Sequence, residues 1–200
     1  MLIIDNIHTH GYLDAIRGMR NPLNSWAKSD STSAHIGAND LDLMLRLADA
    51  GAEHAKYRRM IIVYADIVAP RYWWTEFDTY KVGTVANSCS TMHKIASKEF
   101  TLDDFSTEHL LGDSALHMQE TVNQLNYARI AYLETKNKDY WWELIQLLPQ
   151  SYNQRRTVML NYEVLAKMYR ERRNHKLDEW HTFCDFIARL PYSEIMGVKP

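Results

Sequence analysis

The sequence predicts one mixed, helix-rich α/β domain of the α+β kind, residues 1–200, with a small sheet covered by helices. Three observations predict it. A chain of 200 residues suits one core. Its 46% hydrophobic and 24% charged residues lie close to globular averages, which excludes a disordered or collagenous chain. Short β-type runs also alternate with longer stretches of three- and four-residue apolar spacing, with no internal repeat or flexible linker.

The elements follow in order. Leu2 to Ile7 reads as a strand running into His8-Thr9-His10-Gly11, where glycine marks a turn. Tyr12 to Lys28 is mixed, with Pro22 as a break, and Ser29 to Gly37 is a polar loop. Asn39 is placed to cap a helix over 40–50, whose apolar stripe is Leu41, Met44, Leu45 and Ala48 and whose stop is Gly51. Met60 to Val68 suits a buried strand, and Pro70 opens a helix over 70–77. Thr79 to Met92 carries little periodicity and reads as an irregular, site-forming loop. Thr101 with Asp104 resembles a capping arrangement, Ser114 to Thr135 is a long amphipathic helix with Leu116, Val122, Leu125, Ala128 and Leu133 as its apolar stripe, and 139–147 a further helix ended by Pro149. Helices over 153–174 and 177–189 complete the chain.

Composition narrows the partners. No apolar run approaches the roughly 20 residues of a spanning helix, and Met-Leu-Ile-Ile-Asp carries no basic region ahead of a long apolar run, so neither membrane span nor signal peptide is expected. Two cysteines, Cys89 and Cys184, make no disulfide framework and favour a reducing cytoplasm. A net charge of −2 argues against general nucleic-acid binding.

Local chemistry offers several candidates. His8 and His10 point the same way from a strand, as metal ligands do, but two histidines without further ligands on neighbouring strands do not make a metal site. Ser151 to Lys176 holds seven Lys/Arg (Arg155, Arg156, Lys167, Arg170, Arg172, Arg173, Lys176) against Glu163 and Glu171, which reads either as a phosphate-binding patch or as a solvated helix face. Cys89, within Asn87-Ser88-Cys89-Ser90-Thr91 and near Lys81 in sequence, is a candidate nucleophile, with a small buried filler as the alternative. His54 after Glu53, and His93, carry no ligand spacing. The six tryptophans, including the pairs Trp73-Trp74 and Trp141-Trp142, are assigned to the core or to a subunit interface.

Four collinear stretches carry a family resemblance. They are Gly11-Tyr12-Leu13-Asp14 through Pro22-Leu23-Asn24-Ser25 to Ser29; Asp40-Leu41-Asp42-Leu43-Met44-Leu45 through Gly51-Ala52-Glu53-His54; Ala69-Pro70-Arg71-Tyr72-Trp73-Trp74; and Leu147-Leu148-Pro149, Asn161 and Arg172, with Glu179-Trp180 beyond. In this order they resemble the flavin-dependent thymidylate synthases, the ThyX family. The family signature runs Arg-His-Arg, two residues, Ser, one residue, Asn-Glu, one residue, Ser, one residue, Arg-Tyr. Counted without gaps from Ala69-Pro70, this chain has Thr79-Tyr80-Lys81, then Thr84, Ala86-Asn87, Cys89 and Thr91-Met92, so most of the charged signature groups are replaced.

The resemblance implies a ThyX-like fold, FAD as cofactor, and methyl transfer to dUMP or a related pyrimidine deoxynucleotide in a homotetramer. In this reading Tyr80, Asn161 and His54 contact the flavin, and Lys81, Asn87, Arg172 and Arg173 hold the nucleotide. Ser88, Cys89 and Ser90 line the substrate pocket, and in its sharpest form Cys89 adds to the pyrimidine ring. The lost signature charges support an alternative, a non-catalytic ThyX-like scaffold that binds a nucleotide or a protein partner.

Overall fold

A computed structural model of the chain describes residues 1–198. Its elements are β1 (Ile3–His10), α1 (Tyr12–Arg20), α2 (Ala38–Asp49), β2 (Ile62–Pro70), α3 (Arg71–Phe77), β3 (Thr84–Ser88), α4 (Thr91–Lys94), α5 (Asp113–Thr135), α6 (Lys138–Leu147), β4 (Asn153–Asn161), α7 (Tyr162–Arg172) and α8 (Asp178–Arg189). The strands form one antiparallel sheet in the order β1-β2-β4-β3, so β1 and β3 are its edges. The fold is the expected helix-rich α/β class. The chain forms two compact units, one of residues 1–3, 67–79 and 87–156, the other of 4–66, 80–86 and 157 onward.

The first unit is organised by α5. Its Met118, Val122, Leu125 and Ala128, at helical spacing, bury against Phe100, Phe105, Leu144 and Leu148. α6 folds back on α5, with Gln124 Nε2 donating to Glu143 Oε1 at 2.7 Å and the Tyr127 and Tyr140 rings meeting edge to face at 6.5 Å. α5 is also apolar on its outer side, where Leu116, Tyr127 and Ile130 are 65%, 59% and 50% exposed. In α3, Trp73, Trp74 and Phe77 form a buried aromatic cluster with centroids about 5 Å apart.

The second unit packs α1, α2, α7 and α8 around Ala15, Met44, Leu165, Met168, Trp180 and Phe183, all buried. Asn161 caps α7 by accepting from the Val164 N–H at 2.9 Å. Gly51, with φ of 103°, follows α2 in the left-handed conformation that a side chain would strain.

Several expectations are corrected. Residues 153–161, read as the start of a helix, form β4, because Val158 and Leu160 alternate inward between Thr157, Met159 and Asn161 in a period of two. β3 lies inside the supposed irregular loop; it is an edge strand with four of its five residues exposed, so it has no apolar pattern to read. The mixed stretch after Gly11 begins with α1, whose pattern is obscured by a buried arginine, Arg20. β1 continues through His10 instead of ending at Ile7. α2 starts at Ala38 with Gly37 at its N-cap, so Asn39 is not the cap; Asp30, from the preceding loop, accepts the Asn39 and Asp40 N–H groups.

Candidate functional site

Arg172 ends α7, and Tyr80 follows the turn after α3, so both belong to the second unit. Arg172 Nε donates to Tyr80 Oη at 2.8 Å, and Tyr80 Oη donates to Glu171 Oε2 at 2.9 Å. The direction is forced, since guanidinium only donates and carboxylate only accepts. The guanidinium carbon also lies 4.8 Å from the Trp180 ring centre and 5.5 Å from that of Tyr80, and Lys167 Nζ is 5.6 Å from the same Tyr80 ring. Burial pushes the Tyr80 phenol above its usual range, against the lowering effect of Arg172. The ring therefore stays neutral and acts as a fixed prop for the arginine. Of this group, the sequence points to Tyr80 and Arg172 through the resemblance and to Lys167 through the basic run, but not to Trp180 or Glu171 as partners of Tyr80, because those contacts join elements distant in sequence.

Lys81 and Arg173 are exposed beside this cluster's backbone, immediately after Tyr80 and Arg172. Asn161 is held otherwise. Besides its capping bond, its N–H donates to the Gly83 carbonyl at 3.2 Å, and a Cβ on Gly83 would come within 2.5 Å of the Asn161 side chain. Glycine is required there both for that approach and for its φ of 81°.

His54 lines a cavity of about 1300 Å³ that lies wholly within the second unit. Apolar walls come from Met19, Leu43, Leu47 and Met60, and the charged lining is mixed, with Arg20, Lys28, Arg46 and Lys56 against Asp30, Asp42 and Glu53. Tyr80, Lys81, Asn161, Arg172 and Arg173 do not line it. The volume exceeds the roughly 300 to 1,000 Å³ of ordinary small-molecule sites.

Asn87, Ser88, Cys89 and Ser90 belong to the first unit. Asn87 and Ser88 end β3 and are exposed. The Cys89 N–H donates to the Arg155 carbonyl at 2.9 Å and its carbonyl accepts from Gln154 Nε2 at 2.9 Å, which fixes the backbone while Cys89 itself is exposed. Ser90 caps the short α4 through the His93 N–H. Cys184 is buried, and burial pushes its thiol up to about 11, leaving it inert at neutral pH.

The basic run of residues 151–176 does not form one helix face. Arg156, on β4 in the first unit, stacks 4.2 Å over the Trp74 ring and binds Asp78 at 2.8 Å, whereas Lys167, Arg170 and Arg172 are on α7 in the second. His8 and His10 stack with centroids 6.5 Å apart, and His10 meets Tyr64 edge to face. Among the described residues no group of three or more His, Cys, Asp or Glu side chains is arranged to hold a metal, and no helix is long and apolar enough to cross a membrane.

No family model matches the sequence, and no curated protein matches it. Solved structures do. The chain is similar to flavin-dependent thymidylate synthase ThyX from Helicobacter pylori complexed with FAD and dUMP, with a TM-score of 0.74, 16% identity, and coverage of 98% of this chain and 97% of that one. A second structure of Helicobacter pylori ThyX with FAD and dUMP gives a TM-score of 0.73 at 16% identity, over 97% and 94% of the two chains. At this identity the likeness establishes the fold: this chain has the fold of the ThyX enzymes over nearly its whole length.

Proposed function

We propose that the chain is a divergent ThyX-like protein that binds FAD and a pyrimidine deoxynucleotide, dUMP or a relative, and catalyses flavin-dependent methyl transfer to it. The observation that carries this reading is the near full-length likeness to a protein crystallised with both ligands. Two features of the chain support it. The cavity beside His54 fits a flavin dinucleotide, with Lys28, Lys56 and His54 to hold phosphates and Met19, Leu43 and Met60 to receive an apolar ring. Bound there, the flavin would supply hydride transfer.

The Arg172 cluster supplies the second feature. Stacking on Tyr80 and Trp180 removes the rotamer freedom an arginine otherwise loses on gripping phosphate, so a nucleotide phosphate meets a preset fork. Lys81 and Arg173 add positive charge at the same chain positions. By the family resemblance alone, Asn87 is assigned to the nucleotide and Ser88, Cys89 and Ser90 to the pyrimidine. The Cys89 thiol, its proton passing to water, adds as thiolate to a carbon of the ring double bond, whose π pair moves onto the conjugated carbonyl oxygen, and it leaves with its bonding pair when that double bond re-forms.

The protein acts as a homotetramer in this reading, and the exposed apolar side of α5 is the surface assigned to contact between copies. One observation favours the alternative of a non-catalytic scaffold for a nucleotide or protein partner: the chain keeps Lys81 alone of the charged groups at the signature positions. Flavin uptake separates the two. FAD binding followed by dUMP methylation supports the enzyme, and a colourless protein that takes up no FAD supports the scaffold.

A further inference from the structure

Two carboxylates, Asp30 in the wall of the His54 cavity and Asp40 behind it, hold each other's backbone. Asp40, fully buried in the first turn of α2, accepts from Arg20 at 2.6 Å through Oδ1. Its Oδ2 accepts from Ser29 Oγ and Ser31 Oγ, both at 2.7 Å, and from the Asp30 and Ser31 N–H groups, both at 3.1 Å. Asp30 answers in the opposite direction, accepting the Asn39 and Asp40 N–H groups at 2.9 and 3.1 Å. The far end of the loop is tied down too, since the Ile36 N–H donates to Tyr192 Oη at 2.9 Å and the Gly37 N–H to Ser31 Oγ at 2.9 Å. Gly37 leaves no room for a side chain, because a Cβ there would lie 2.2 Å from the Asp30 carboxyl carbon.

Arg20, Ser29, Asp30 and Asn39 all line the cavity, whereas Asp40 and Ser31 lie behind them. We propose that Asp40 is a positioning residue for the cavity's ligand: from behind the wall it fixes Arg20 and residues 29–31 in the geometry against which that ligand packs. This inference rests on the flavin-nucleotide reading of the cavity. The clasp also offsets the charge of two carboxylates at this wall, which Asp42 and Glu53 line as well. Arg20 matches the Asp40 charge, and the Asp30 charge sits on the N-terminal amides of α2, so neither carboxylate opposes an anionic ligand at full strength.

The test uses the full chain and FAD as probe. The double variant Ser29→Ala/Ser31→Ala removes two hydroxyl donors but keeps the Arg20–Asp40 pair, so it is the variant expected to fold; Asp40→Asn is the more severe second variant. Asn126→Ala, which cuts bonds to Phe100 in the first unit, serves as a destabilised control. For the double variant, amide exchange over residues 30–40 accelerates at least tenfold, FAD affinity drops at least tenfold with an altered absorbance band, and the control matches wild type in both. Unchanged exchange over 30–40, or unchanged FAD binding in a variant whose loop has loosened, overturns the proposal. If wild type takes up no FAD, the flavin reading fails, and with it the ligand-positioning role; the exchange data then report only on the clasp.

Discussion

Arg172 Nε donates to Tyr80 Oη at 2.8 Å while its guanidinium lies over the Trp180 ring, so the arginine's direction is set by two aromatic residues. Tyr80→Phe keeps the ring stack but removes the hydroxyl that links Arg172 to Glu171. The expected cost is about 1 kcal/mol of stability. If this arginine grips phosphate, dUMP affinity weakens about tenfold, roughly 1.4 kcal/mol, with FAD affinity unchanged. Calorimetric titration of the variant with dUMP checks this; unaltered dUMP binding removes the Tyr80–Arg172 pair from the nucleotide site.

Asp40 gives a pH signature. Burial alone raises a carboxyl's pKa, but the hydrogen bonds from Ser31, Ser29, Arg20 and the Asp30 N–H outweigh it and hold Asp40 at about 2, below its usual 3.8. A group lowered on folding stabilises the fold above its unfolded value and loses that contribution as pH falls through the folded one. About 2 kcal/mol is therefore present above pH 4 and lost between about pH 4 and 2. Urea melts across that range in wild type and in Ser29→Ala/Ser31→Ala check it, with a shallower acid loss expected in the variant.

Asn161→Ala deletes the cap of α7 and is expected to destabilise the protein by about 1 kcal/mol. Asn161→Asp, which keeps an accepting oxygen, recovers most of that loss. Denaturant midpoints of the two variants decide it, and equal losses in both show that the cap contributes little.

The fold was legible where burial leaves a period. The stripe of α2 stands out because one side of that helix faces a core, whereas on α5 Val122, Leu125 and Ala128 are buried as read but Leu116 and Leu133 are exposed and Met118 takes the inward place, because apolar residues lie on both sides of that helix. β4 was not legible as a strand, because its arginines precede an alternation that runs straight into the apolar residues of α7. β3 had no inward side to mark it. For the site, Tyr80, Arg172 and His54 are proposed through family order, and Glu171, Lys167 and Trp180 join Tyr80 only by tertiary contact. The Asp40 clasp was invisible for a related reason: a buried Arg–Asp pair reads in sequence as two surface charges.

α5 carries a prediction on assembly. Tyr127→Asp/Ile130→Asp puts charge on its exposed apolar side and leaves the buried stripe intact. Light scattering is expected to show a tetramer for wild type and a smaller species for the variant. A monomeric wild type would assign that surface to something other than a second copy.

Cys89→Ser keeps the backbone bonds to Gln154 and Arg155 but exchanges the thiol for a poorer nucleophile. Turnover of dUMP is expected to fall below detection while dUMP still binds. Retained turnover, followed by product mass, eliminates the covalent role.

The most direct measurement is the absorbance spectrum of the purified chain before and after adding FAD, then dUMP. Flavin bands that stay with the protein through gel filtration, and shift when dUMP is added, are the expected result. A protein that remains colourless at saturating FAD contradicts the flavin-dependent reading and leaves the fold as a scaffold for another ligand.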